Sequence, residues 1–145
     1  MKLDDLARTL TSQDRPFGAQ EVSGVTSDSR RAGAGVVFVA ISGTKADGAG
    51  FAADAAARGA EAVAAAKGAV KAPLSVPLIE VADPRLALSR ISAALYPRQP
   101  GTMVAVTGTS GKTSVAAFTR QVWEQAGFAA ASIGTTGVVA PGRDD

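Results

Sequence analysis

Val104-Ala105-Val106-Thr107-Gly108-Thr109-Ser110-Gly111-Lys112-Thr113-Ser114 is the stretch that decides how this chain is read. The apolar run Met103–Val106 before it predicts a buried strand. Glycines and small hydroxyl residues follow. Thr113–Gln125 then carries Val115, Phe118, Val122 and Trp123 at helical spacing, which predicts a helix with one buried face. The reading is strand, glycine-rich loop, helix.

A loop of this kind can converge backbone N–H groups on the oxygens of an anion. Glycines let the backbone approach closely, and the helix N-terminus adds partial positive charge behind it. Gly108 and Gly111 are the permissive positions here. Lys112 can reach the β- and γ-phosphates of a nucleotide as a point charge, and the Thr113 hydroxyl can ligate the accompanying Mg²⁺. Gly108, Thr109, Ser110, Gly111, Lys112, Thr113 and Ser114 are therefore the candidate ATP-binding residues, with Lys112 as candidate catalytic residue and Thr113 as candidate metal ligand. The general pattern G-x-x-x-x-G-K-[ST] puts its first glycine where this chain has Val106, and the chain has Gly108 instead. A glycine turn beside a solvated lysine is the plain alternative. The flanking strand and helix favour the phosphate loop.

Working back from the loop, Pro97-Arg98-Gln99-Pro100-Gly101 reads as a linker, with prolines, a glycine and no apolar periodicity. Residues 1–97 before it read as one small α/β domain. Leu3, Leu6, Ala7 and Leu10 predict a first helix, and Val22–Thr26 a short strand. Val36–Ile41 is a continuous apolar run between glycines and predicts a buried strand. Phe51–Arg58 predicts a helix stopped at Gly59. Ala62–Ala66 and Leu78–Val81 are further strands. Asp83-Pro84 supplies an N-cap and a first-turn proline for a helix with Leu88, Ile91 and Leu95 on one face. Residues 98–145 read as the strand–loop–helix–strand start of a parallel-sheet domain, with Ala129–Ile133 as its second strand. About 45 residues are too few to bury a core alone, so this second domain is expected to be incomplete.

Composition narrows the function. Of 145 residues, 46% are hydrophobic and 19% charged, a globular balance. The formal charge of +2 is scattered, with no basic stripe for nucleic acid. There is no cysteine and no histidine, which excludes a disulfide framework, thiolate or imidazole metal sites, and a Ser-His-Asp triad within these residues. The N-terminus lacks the apolar core of a secretory signal, and no apolar stretch is long enough to span a membrane. A cytoplasmic location is the expectation, with no membrane, nucleic-acid or obligate protein partner.

Thr107-Gly108-Thr109 followed by Gly111-Lys112-Thr113 resembles the phosphate loop of the Mur ligase superfamily, enzymes that use ATP to join amino acids to carboxylates. The upstream pattern extends the resemblance over essentially the whole chain: Thr26-Ser27-Asp28-Ser29-Arg30, Gly35 through Ile41, Gly43, Ala46-Asp47-Gly48, Phe51 and Arg58-Gly59-Ala60. Taken without the family, Asp28-Ser29 and Asp47-Gly48 read more readily as two plain turns than as two loops able to hydrogen-bond a phosphorylated ligand. Asp28-Ser29-Arg30, Thr107-Gly108-Thr109 and Ile133-Gly134-Thr135-Thr136-Gly137 are together most similar to the branch that adds the third residue of the peptidoglycan stem peptide. The MurF-type ligases are the nearest alternative.

The resemblance implies that residues 1–97 hold the UDP part of UDP-N-acetylmuramoyl-L-alanyl-D-glutamate. Its contacts would fall on Ser27 and Ser29 in the first loop and on Thr44, Lys45 and Ala46 in the second; Ser27 and Lys45 stand where the family varies. It implies ATP and Mg²⁺ at residues 108–114, in a central domain that begins near residue 98. The expected reaction phosphorylates the D-glutamate carboxylate, and the amine of an incoming amino acid then attacks. That amino acid is meso-diaminopimelate or lysine, with diaminopimelate expected. These residues alone are expected to be catalytically silent. Two other readings stay open, a standalone UDP-sugar-binding module and a phosphate-loop ATPase or kinase of another family.

Overall fold

The runs at 36–40 and 62–66 are apolar at every position, so as strands they must be covered on both faces. The computed structural model describes residues 1–11, 16–43 and 47–144, and these runs form the centre of a sheet. The order is β1 (Gly24–Thr26), β2 (Val36–Ala40), β3 (Ala62–Ala66) and β4 (Leu78–Val81), side by side and all parallel. The α/β class expected from the sequence is found in this four-stranded sheet.

Side chains alternate between the two faces. Val37, Val39, Ala62, Ala64, Ile79 and Val81 pack with Leu3 and Leu6 of α1 (Leu3–Arg8) and Ala87 and Ile91 of α3 (Pro84–Leu95). Phe38, Ala40, Val63 and Ala65 pack on the opposite side with Ala52 and Ala55 of α2 (Ala52–Ala57). The boundaries follow local chemistry. Gly59, at φ +89°, ends the α2 segment in the left-handed conformation that glycine tolerates. Asp83 caps α3 by accepting from the N–H groups of Arg85 at 2.8 Å and Leu86 at 3.3 Å, with Pro84 at the first position. Two short 3₁₀ turns, Ser29–Arg31 and Gly48–Phe51, follow β1 and β2.

The chain divides into two compact units, Met1–Gln99 and Pro100–Asp145. The second contains α4 (Lys112–Gln125) and an antiparallel hairpin, β5 (Ser132–Gly134) and β6 (Gly137–Ala140), extended by β7 (Arg143–Asp144). Several expectations change here. Met103–Val106 joins no ladder, and Met103 and Val104 are exposed. The second strand is shifted from Ala129–Ile133 to Ser132–Gly134 and pairs antiparallel with the strand that follows it. The face of α4 expected to be buried is open, since Val115, Phe118 and Val122 are 50%, 63% and 61% exposed and only Trp123 is half-buried. One helix and a hairpin offer too little surface to enclose that face.

Candidate functional site

In a parallel sheet all the carboxyl ends lie on one edge, and loops leaving that edge are where ligands bind in open α/β folds. Here the loops after β1 and β2 and the cap of α3 share it.

After β1, Thr26 turns the chain. Its hydroxyl accepts the Asp28 N–H at 3.1 Å. Asp28 then caps the 3₁₀ turn, accepting the Arg30 N–H at 3.0 Å, while the Arg30 guanidinium reaches the same carboxylate at 2.7 and 2.9 Å. These Arg30 bonds hold the Asp28 carboxyl at about 2, below its ordinary 3.8. Ser27 is exposed at the bend. Ser29 is buried, the one buried polar residue among those described. Its hydroxyl faces Asp54 on α2, whose carboxyl is held below the usual range first by Arg58 and then by Ser29. Asp28 and Arg30 thus engage each other, and Ser29 is buried with its hydroxyl directed at Asp54 and its carbonyl accepting the Ala32 N–H at 3.1 Å.

After β2, the chain closes a narrow neck. Ser42 and Asp47 form an antiparallel bridge, the Ser42 hydroxyl donates to Asp47 Oδ1 at 2.9 Å, and the Ala49 N–H donates to the same oxygen at 3.1 Å. The Gly48 N–H donates to the Ile41 carbonyl at 3.1 Å. A Cβ at Gly48 would lie 2.5 Å from the Ile41 nitrogen, so only glycine fits. Thr44, Lys45 and Ala46, which the resemblance assigns to substrate, lie outside the described residues. Arg85, which the sequence reading did not single out, donates to the Ser42 carbonyl at 3.3 Å. Its position in the first turn of a helix at the sheet edge was the available signal.

In the second unit, residues 107–111 lead into α4. Gly108 and Gly111 have φ of +142° and +76°, and Gly111 is the N-cap. The first helical bond runs from the Val115 N–H to the Gly111 carbonyl. The N–H groups of Lys112, Thr113 and Ser114 therefore precede the helical ladder and are available to an anion. Thr109 and Ser110 complete the exposed bend. Lys112 Nζ donates to the Gly108 carbonyl, which sets the ammonium over the loop. Thr113 Oγ1 lies 3.3 Å from Thr135 Oγ1, in the turn between β5 and β6. Among the described residues no cluster of three acidic, His or Cys side chains could hold a metal by itself. A single hydroxyl beside a phosphate cradle is nonetheless a fitting donor for Mg²⁺, which commonly takes few protein ligands along with phosphate oxygens and water. No helix among these residues is long and apolar enough to cross a membrane.

Comparison with known proteins agrees with both the sheet and the sequence. The chain is 63% identical over its whole length to the UDP-N-acetylmuramoyl-L-alanyl-D-glutamate--2,6-diaminopimelate ligase of Mesorhizobium japonicum. It is 47% identical, over 91% of its length, to the protein of that name from Caulobacter vibrioides. It spans 30% and 28% of those relatives. Among solved structures, MurF from Acinetobacter baumannii shares the fold with a TM-score of 0.64 at 24% identity, covering 86% of this chain and 28% of that one. The MurF ligase of Thermotoga maritima, solved with ADP, gives 0.57 at 27% identity over 73% of this chain and 23% of its own. Residues 21–96 match the family described as Mur ligase family, catalytic domain. That match takes in β1 to β4, the two loops at their carboxyl ends and α3, and on it the chain belongs to the Mur ligase family.

Proposed function

We propose that this chain is part of an ATP-dependent ligase that adds 2,6-diaminopimelate to UDP-N-acetylmuramoyl-L-alanyl-D-glutamate in peptidoglycan precursor synthesis, a cytoplasmic reaction. The observation that carries the proposal is 63% identity over all 145 residues to a protein named for that reaction. The MurF alternative is not favoured, since the MurF structures stand at 24–27%. In this reading residues 1–97 bind the UDP-linked dipeptide through the loops at the sheet edge, with contacts at Ser27, Ser29, Thr44, Lys45 and Ala46. Residues 98–145 begin the ATP-binding domain, with Gly108 through Ser114 around the phosphates. The Thermotoga maritima MurF ligase was solved with ADP, which supports nucleotide binding as part of this reading.

The γ-phosphoryl group passes to the D-glutamate carboxylate, giving an acyl phosphate and ADP. The incoming amine then attacks the acyl carbon and expels phosphate. Positioning and charge stabilisation carry most of such a transfer. The N–H groups at the start of α4 orient the phosphate oxygens, and Lys112 offsets the charge that builds on the transferred group. Thr113 would hold Mg²⁺, which supplies further charge neutralisation when bound.

The test is phosphate release by the full-length protein with ATP, the UDP-linked dipeptide and diaminopimelate, omitting each in turn. Release that requires all three supports the proposal. ATP turnover without the dipeptide indicates another class of ATPase, and selective use of a UDP-linked tripeptide with D-alanyl-D-alanine indicates the MurF reaction.

A further inference from the structure

The turn after β1 is shaped by its own residues but seated by another element. Thr26, Asp28 and Arg30 bond to one another within the turn, which sets its shape. Its seat is on α2. Ala32, directly after the 3₁₀ segment, packs on the apolar cluster that holds Ala52 and Ala55. Ser29 is only 9% exposed, and its hydroxyl donates to the carboxylate of Asp54 in the first turn of α2. The Ser29 carbonyl accepts the Ala32 N–H at 3.1 Å, so the polar and the apolar contact are joined. Asp54 is in turn held by Arg58, whose Nε lies 3.0 Å from both carboxylate oxygens.

We infer that Asp54 is a positioning residue for substrate binding: by accepting the buried Ser29 hydroxyl, it seats the turn that carries Ser27 and Ser29 so that the turn meets the UDP-linked dipeptide in one arrangement. The inference rests on the reading that this turn contacts that substrate. A hydroxyl bonded to a charged acceptor is held more firmly than one bonded to a neutral partner. Burial makes the acceptor necessary, because a Ser29 hydroxyl without a partner would have to turn outward to reach water. That movement displaces the turn. The Arg58–Asp54 pair is open to solvent and adds little to folding by itself. Its part is to hold the carboxylate in the orientation that receives Ser29. Loop order established before binding need not be established at the expense of affinity.

The experiment measures the melting temperature, kcat and the KM for each substrate in the full-length protein. The variants are Asp54→Ala, Asp54→Asn, Ser29→Ala, and Asp54→Ala combined with Ser29→Ala, beside the natural sequence. Asp54→Ala is expected to raise the KM for the UDP-linked dipeptide roughly three- to tenfold, with kcat and the KM for ATP unchanged. Asp54→Asn recovers most of this, because its amide oxygen still accepts the hydroxyl. The double variant is no worse than Ser29→Ala, because Asp54 acts through that hydroxyl. An unchanged dipeptide KM in Asp54→Ala, with the natural protein active, overturns this inference alone. So does an Asp54→Ala effect that adds in full to that of Ser29→Ala, since Asp54 would then act by another route. A loss shared by kcat, every KM and the melting temperature makes the role structural and overturns it as well. A natural protein that does not consume the dipeptide removes the underlying reading, and this inference with it.

Discussion

Asp28 and Arg30 hold each other within a single turn. The Asp28 carboxylate takes the Arg30 backbone N–H at 3.0 Å and the guanidinium at 2.7 and 2.9 Å. The carboxyl sits at about 2 against an ordinary 3.8. A carboxyl whose folded pKa lies below its unfolded one contributes stability above the unfolded value and loses it as pH falls through the folded one. The turn after β1 should therefore keep its cap down to about pH 4 and lose it between 3.8 and about 2. Arg30→Ala should return Asp28 toward 3.8, read from the carboxyl carbon in an NMR titration. A midpoint still at about 2 would assign the shift to the backbone cap rather than to the guanidinium.

That turn also shows what was legible in advance. Asp28-Ser29 was readable as a turn and as a ligand loop, and the structure realises the turn with Asp28 as its cap. Elements whose own apolar run or capping residues define them were readable, as in β3 at Ala62–Ala66, β4 at Leu78–Val81 and the Asp83-Pro84 start of α3. Reading became harder where the partner is distant. Nothing in Met103–Val106 says whether another strand lies beside it, and nothing in Val115, Phe118 and Val122 says whether anything covers them. The antiparallel partner of β5 lies just beyond a two-residue turn flanked by Gly134 and Gly137, a local signal outweighed by the expectation of a parallel sheet. Arg85 was missed for the same reason as the α4 face, because its partner Ser42 is far away in sequence.

Gly48 should be intolerant of any side chain. A Cβ there would meet the Ile41 nitrogen at 2.5 Å and its carbonyl oxygen at 2.6 Å, both backbone atoms continuous with β2. Neither can move without disturbing the central sheet. Gly48→Ala should therefore destabilise the first unit by about 1–3 kcal/mol, the range for forced overpacking. Denaturant unfolding followed by circular dichroism measures it. A loss below a few tenths of a kcal/mol would mean the neck opens at little cost.

Asp83 should matter through its cap. It satisfies the N–H groups of Arg85 and Leu86 ahead of the helical ladder, and it is exposed, so its removal leaves no cavity. Asp83→Ala should cost about 1 kcal/mol, and Asp83→Asn or Asp83→Ser much less, because either can still accept those bonds. Equal losses in all three variants would point to the charge rather than to the bond geometry.

Lys112 gives the sharpest separation of stability from activity. Its side chain is exposed and packs into no core, so Lys112→Ala should leave the melting temperature of the full-length protein unchanged. Its ammonium sits over the loop on the Gly108 carbonyl, close to where nucleotide phosphates would enter. In the proposed reaction that contact would be exchanged for phosphate oxygens when a nucleotide binds. Losing a stabilising donor of this kind typically lowers the rate about 10²- to 10³-fold. Lys112→Ala should therefore reduce ligation at least that far, measured as ADP formed with all three substrates present. Lys112→Arg should recover little, because a wide planar head does not replace a compact ammonium within a glycine loop. Near-normal turnover in Lys112→Ala would remove the lysine from the reaction and leave it only the Gly108 contact.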